Sequence, residues 1–115
     1  MTETELQRSI KQALELLGFW VVRMGVSMKR GPRGTQAGEP GMPDLLVLNP
    51  LQFLEVKLPG GVLSDVQTAW HARAKEAGLP VAVVESARES CQLMLERRTE
   101  QEHRDRMGWE RTAVG

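Results

Sequence analysis

Apolar and polar positions alternate along this chain in two different periods. Over residues 3–17, ETELQRSIKQALELL, the apolar side chains Leu6, Ile10, Ala13, Leu14 and Leu17 recur at i, i+4, i+7, i+8 and i+11. That spacing predicts an amphipathic helix, which Gly18 should end. Phe19 to Met24, FWVVRM, is rich in β-branched and aromatic residues and reads as a strand. Asp44 to Leu48, DLLVL, is apolar on both parities. It is therefore expected to be a strand covered on both faces. NPLQ turns the chain, and FLEVKL returns as a strand paired with the one before it. After the loop PGGVLS come a helix over about Ser64–Ala77, stopped by Gly78, a strand over about Val81–Glu85, and a helix from about Ala87 to Glu96 or beyond. The order is α-β-β-β-α-β-α. We expect an α/β fold in which three strands form an antiparallel meander within a mixed central sheet flanked by helices.

Between the first two strands lies GVSMKRGPRGTQAGEPGMP, with five glycines and three prolines, which is loop chemistry. Loops of this length in compact domains are often functional. From Arg23 to Gly38 it carries four basic residues, Arg23, Lys29, Arg30 and Arg33, and no acidic one. The whole chain hides this asymmetry, because 15 Lys+Arg balance 15 Asp+Glu. Whole-molecule charge therefore does not argue for nucleic acid or for a membrane surface, and any basic patch is local.

The 115 residues suit a single domain with one core. We expect that domain to span residues 1–96, with 97–115 a charged tail that either extends the last helix or frays. The lone cysteine, Cys91, allows no internal disulfide and reads as a small apolar residue of the last helix. The start MTETELQRSI lacks the basic and apolar regions of a signal peptide, and no apolar run approaches the ~20 residues that cross a bilayer. The expectation is a soluble cytoplasmic protein. The glycines of 31–41 lack the Lys-Ser/Thr of a phosphate loop, so no nucleotide cofactor is expected.

Candidate chemistry begins in FLEVKL. Alternation puts Phe53, Glu55 and Lys57 on one side and Leu54, Val56 and Leu58 on the other. On an ordinary amphipathic strand, Glu55 and Lys57 would simply face water. If the neighbouring strand is covered on both faces, they instead lie on a covered or half-covered face, and a buried charge needs compensation. Asp44, held after Pro43 at the start of that neighbouring strand, can come close to Glu55 in a hairpin; as a plain alternative, Asp beside Pro is common in turns. Two carboxylates about 4 Å apart repel by roughly 4 kcal/mol at an effective dielectric of 20. Either one takes a proton or a cation sits between them. A small oxygen site suits Mg²⁺, and Lys57 would be a point charge beside it.

Pro43–Asp44 followed by Glu55-Val56-Lys57 resembles the PD-(D/E)XK nuclease signature. The longer string GMPDLLVL…FLEVKLPGGVLSDVQTAW…AGLPVAVVES resembles its VRR-NUC branch, and the likeness covers roughly residues 3–90. The resemblance implies a restriction-endonuclease-like core and Mg²⁺- or Mn²⁺-dependent phosphodiester hydrolysis. It implies Asp44, Glu55 and the Val56 carbonyl as metal ligands, Lys57 as the catalytic lysine, and Gln67 beside the site. Stand-alone members of this size, common in phage and prophage genomes, resemble Holliday-junction resolvases and act as homodimers on branched DNA. A same-fold nuclease for flaps or linear duplex, and a non-catalytic DNA-binding module on a decayed nuclease fold, are the alternatives.

The family also places an acidic residue on the first helix, facing the site. Here Glu3, Gln7 and Ile10 share a helical face, with Gln7 where a Glu is expected and Glu3 one turn earlier. Glu5 points away from that face. Any of these acids could equally serve the helix dipole. Ser64-Asp-Val-Gln67 also reads as a capping box, a role for Gln67 compatible with one at the site. The basic loop, Lys29 to Arg33, suits phosphate contacts without base reading, or is simply solvated. Trp70 reads as core or dimer interface and His71 as a polar rim residue within reach of phosphate. His103 lies in the tail, so the two histidines form no metal cluster.

Overall fold

The computed structural model describes residues 1–24 and 39–114, with side chains described through Gly108. The elements run α1 Glu3–Leu16, β1 Val21–Arg23, β2 Leu45–Leu48, β3 Leu51–Val56, α2 Asp65–Glu76, β4 Val81–Val84 and α3 Ala87–Val114. They build one four-stranded sheet in the order β1-β2-β3-β4. The first three strands form the expected antiparallel meander, and β4 pairs parallel with β3. A parallel neighbour requires a crossover, and α2 supplies it.

Both helices that flank the meander's successors begin on capping boxes. Thr2 and Glu5 exchange bonds at the start of α1, and Ser64 and Gln67 do so at α2. Satisfying two orphan amides this way fixes where each helix starts. Gly18, at φ +91°, carries the chain out of α1 in a left-handed turn that an L side chain resists. Because α1 stops at Leu16, Leu17 becomes the C-cap and stays 37% exposed rather than joining the core as its spacing predicts.

The core lies on one side of the sheet. Leu6, Ile10 and Leu14 of α1 pack with Met94 of α3 against Leu45, Val47, Leu54, Val56 and Val84. Burying each such side chain contributes about 1.5–3 kcal/mol. Cys91 packs at the margin of this cluster. The opposite side is covered by α2, whose Trp70 stands edge-on to Phe53 at 5.3 Å between ring centroids.

Coverage differs from expectation in one respect. β2 alternates between buried and half-buried, so its α2-facing side is only partly covered. β3 is the strand closed on both faces, buried from Gln52 through Val56. It is the inner strand that has β2 and β4 at its sides, the α1–α3 core beneath and α2 above. Beyond Glu96 the chain continues as α3, which at 28 residues is about 42 Å long. Arg98 anchors this extension, stacking 4.4 Å over the Phe19 ring and donating to the Leu17 carbonyl at 2.9 Å.

Candidate active site

The β2–β3 register sets Leu45 opposite Leu54 and Leu46 opposite Phe53. Continued by one residue, it brings Asp44 opposite Glu55 on the α2 side of the sheet. The Asp44 carboxylate is turned onto β3, where Oδ2 accepts from the Val56 amide at 2.8 Å. The loop before it is pressed against α2. Gly41 has φ +83°, and a Cβ there would overlap the Val66 carbonyl. Only glycine lets the GMPD segment lie that close to the first turn of α2.

Glu55 is completely buried, and neither of its side-chain oxygens has a hydrogen-bond partner. Its carboxyl is pushed up to about 9, above all by burial and then by the Asp44 carboxylate close beside it. Glu3 adds to the rise, while the Lys57 ammonium opposes it. So Glu55 holds its proton where an exposed carboxyl would be ionised.

Lys57 follows the end of β3, tied in by its amide to the Val84 carbonyl at 3.0 Å. Its charge acts on Glu55 and on His71. The turn beyond it is held by Gly60, whose amide donates to Glu85 Oε2 at 3.0 Å. At Gly61 a Cβ would stand 2.9 Å from the Leu58 carbonyl and 3.3 Å from Lys57 Cβ. The glycine pair thus lets the chain fold back without crowding the lysine stem.

Glu3 and Gln7 lie half-buried on the inward face of α1, and Glu3 is within electrostatic reach of Glu55. Glu5 is exposed and closes the Thr2 capping box. Gln67 is half-buried, but its Oε1 accepts from the Ser64 amide at 2.9 Å. Its amide oxygen is therefore spent on the cap. Arg23 is half-buried, and its Nε is buried without a partner. It shares a sheet face with Leu45 by register, which places it on the core side rather than beside Asp44. Lys29, Arg30 and Arg33 lie outside the described residues.

His71 is the residue that sequence reasoning misplaced. Instead of standing at a polar rim, it puts Nε2 3.6 Å from Glu55 Oε1, with that nitrogen buried and unpartnered. Burial and the Lys57 charge lower its pKa, so the ring is neutral near pH 7. The available signal was helical spacing: Gln67, Trp70, His71 and Ala74 make the inward stripe of α2. Trp70 is half-buried there and donates to Glu39 Oε2 at 3.2 Å.

Two unpartnered carboxylate oxygens facing a second carboxylate are the donor set of a hard divalent cation. Among the described residues no group of three or more His, Cys, Asp and Glu is placed to hold a metal ion. A pair of carboxylates supplies few protein ligands, as a hard cation that keeps most of its water requires.

The family model of the VRR-NUC domain matches residues 3–88 of this chain. The chain belongs to the VRR-NUC family. It is also similar to a solved structure described as a VRR_NUC domain, with 29% sequence identity and a TM-score of 0.60, over 80% of this chain and 92% of that one. No curated protein matches. The known fold of the VRR-NUC domain is that of the PD-(D/E)XK superfamily, and the mixed sheet with its flanking helices is that fold. Membership implies a nuclease-type function acting on DNA. Among the described residues no helix is long and apolar enough to cross a membrane.

Proposed function

We propose that this VRR-NUC domain is a Mg²⁺- or Mn²⁺-dependent DNA endonuclease that hydrolyses phosphodiester bonds in branched DNA, acting as a homodimer in the cytoplasm of a bacterial or phage-infected cell. The observation that carries the reading is Glu55, wholly buried, with both oxygens unpartnered, opposite Asp44 and beside Lys57. A fold keeps so costly a group where a bound cation repays it. The cation, when bound, polarises the scissile phosphate and acidifies a water.

Asp44 and Glu55 hold it, with the Val56 carbonyl as a further ligand. Asp44 is already oriented by the Val56 amide, so the ligand is set before the ion arrives. Lys57 contributes a positive charge beside the reacting phosphate, where negative charge develops as water attacks in line. Glu3 on α1 is the third acid of the site, Gln7 faces it from the next turn, and Gln67 lines it from α2. The loop cations Lys29, Arg30 and Arg33 contact backbone phosphates, which recognises DNA shape without reading bases.

The test is cleavage of four-way junction, flap and linear duplex DNA in Mg²⁺ or Mn²⁺. The wild type should cut the junction best, and Asp44→Ala and Lys57→Ala should cut nothing while staying folded. Full activity in either variant contradicts the site assignment. Preferred cutting of flap or duplex moves the substrate class, and no cutting of any substrate favours a non-catalytic DNA-binding module.

A further inference from the structure

We infer that His71 is a positioning residue of this site: its Nε2–H donates to Glu55 Oε1 and fixes the carboxylate that holds the cation. The inference rests on the metal-dependent reading of the Asp44–Glu55 pair. His71 Nε2 and Glu55 Oε1 are both buried, both lack a hydrogen-bond partner, and face each other at 3.6 Å. A sound N–H···O bond needs about 2.7–3.2 Å, so a shift of well under 1 Å satisfies both atoms at once. Leaving either one unpaired in the interior is unfavourable.

Among the described residues, His71 is the basic side chain whose nitrogen reaches within ion-pair distance of a Glu55 oxygen. The helix that carries His71 is itself fixed at its start by the capping box and at Trp70 by the Glu39 carboxylate. A ligating carboxylate keeps lone pairs that do not reach the ion, and a protein donor on one of them sets its rotamer. The side chain of His71 is 16% exposed and that of Glu55 is fully enclosed, so no bulk water competes for this bond.

The experiment is calorimetric titration of Mn²⁺ into the wild type, His71→Ala and His71→Gln, with thermal melts of each in chelator. Glutamine presents an amide donor at a reach similar to Nε2. His71→Ala is expected to weaken Mn²⁺ binding about 10–100-fold with little change in the melting temperature of the metal-free protein. His71→Gln is expected to recover most of that loss. Wild-type affinity in His71→Ala overturns the inference while leaving the metal site standing. Equal weakness in His71→Gln and His71→Ala also overturns it, because ring shape and not a donated bond would then matter. Absence of Mn²⁺ binding by the wild type is a separate result, which removes the metal-dependent reading and this inference together.

Discussion

Leu54 and Glu55 are neighbours on β3, equally buried, and they answer to opposite demands. Leu54 faces the α1–α3 core, within a cluster of apolar side chains, and its burial there stabilises the fold. Glu55 faces α2 in a setting that is just as dry but offers its carboxyl no hydrogen bond in the described structure and only a distant imidazole. The first face holds the domain together. The second is retained at a cost in stability, as functional sites commonly are. One strand, closed on both sides, thus separates stability from chemistry by the parity of its residues.

The largest expected effect lies on the α2 side. Asp44→Ala should reduce cleavage to background, and Lys57→Ala should lower the rate by at least about 10²–10³-fold, the usual cost of removing one charge-stabilising group. Both should melt near the wild type, which a cleavage assay paired with thermal melts will show. Next comes the core side. Leu54→Ala should destabilise by about 2–5 kcal/mol through the cavity it leaves, measured by denaturant unfolding. Its Mn²⁺ affinity, measured where the variant is folded, should stay at the wild-type value. If Leu54→Ala lost metal binding without losing stability, the separation of the two faces would fail.

Smaller again is Gly41→Ala, at the point where the loop before Asp44 presses on α2. The left-handed backbone and the overlap with Val66 should cost about 1–3 kcal/mol, and activity should fall with it as α2 is displaced from the sheet. Different in kind is a pH effect. Glu55 keeps its proton in the folded chain up to about 9 against an ordinary 4.5. The folded state thus binds more protons over that interval. Its contribution is full below about 4.5 and is lost as pH rises through 9. Metal-free melting temperatures should decline from pH 6.5 to 9, and Glu55→Gln should flatten the decline. His71 is shifted down from 6.5, so its own contribution is present above that pH and is lost only as pH falls below it.

Much of this division was legible in the residues. The period-two alternation of FLEVKL assigned Phe53, Glu55 and Lys57 to one face, and the antiparallel register then set Asp44 against Glu55. The 3.6 period of α1 separated the inward Glu3 and Gln7 from the outward Glu5. What the pattern misassigned was which strand is closed twice. DLLVL is apolar throughout yet only half-covered on one side, while LQFLEV carries two polar residues and is the buried one. Composition cannot tell which of two inner strands is covered twice, because burial there is decided by where α2 crosses.

His71 escaped for a related reason. A helix that covers a polar site has polar residues on its inward stripe, so α2 has no clean apolar face from which its orientation could be read. Gln67 illustrates the converse. Its capping-box spacing was readable, and the cap is what its oxygen does.

The most direct test of the account is a Mn²⁺ titration, at pH 7.5 without DNA, of the wild type beside Glu55→Gln. The account predicts saturable binding to the wild type with release of a proton, and no measurable binding to Glu55→Gln, which should melt at or above the wild-type temperature in chelator. Equal Mn²⁺ affinity in the two proteins would contradict it, because the buried carboxyl of β3 would then have no part in holding the ion.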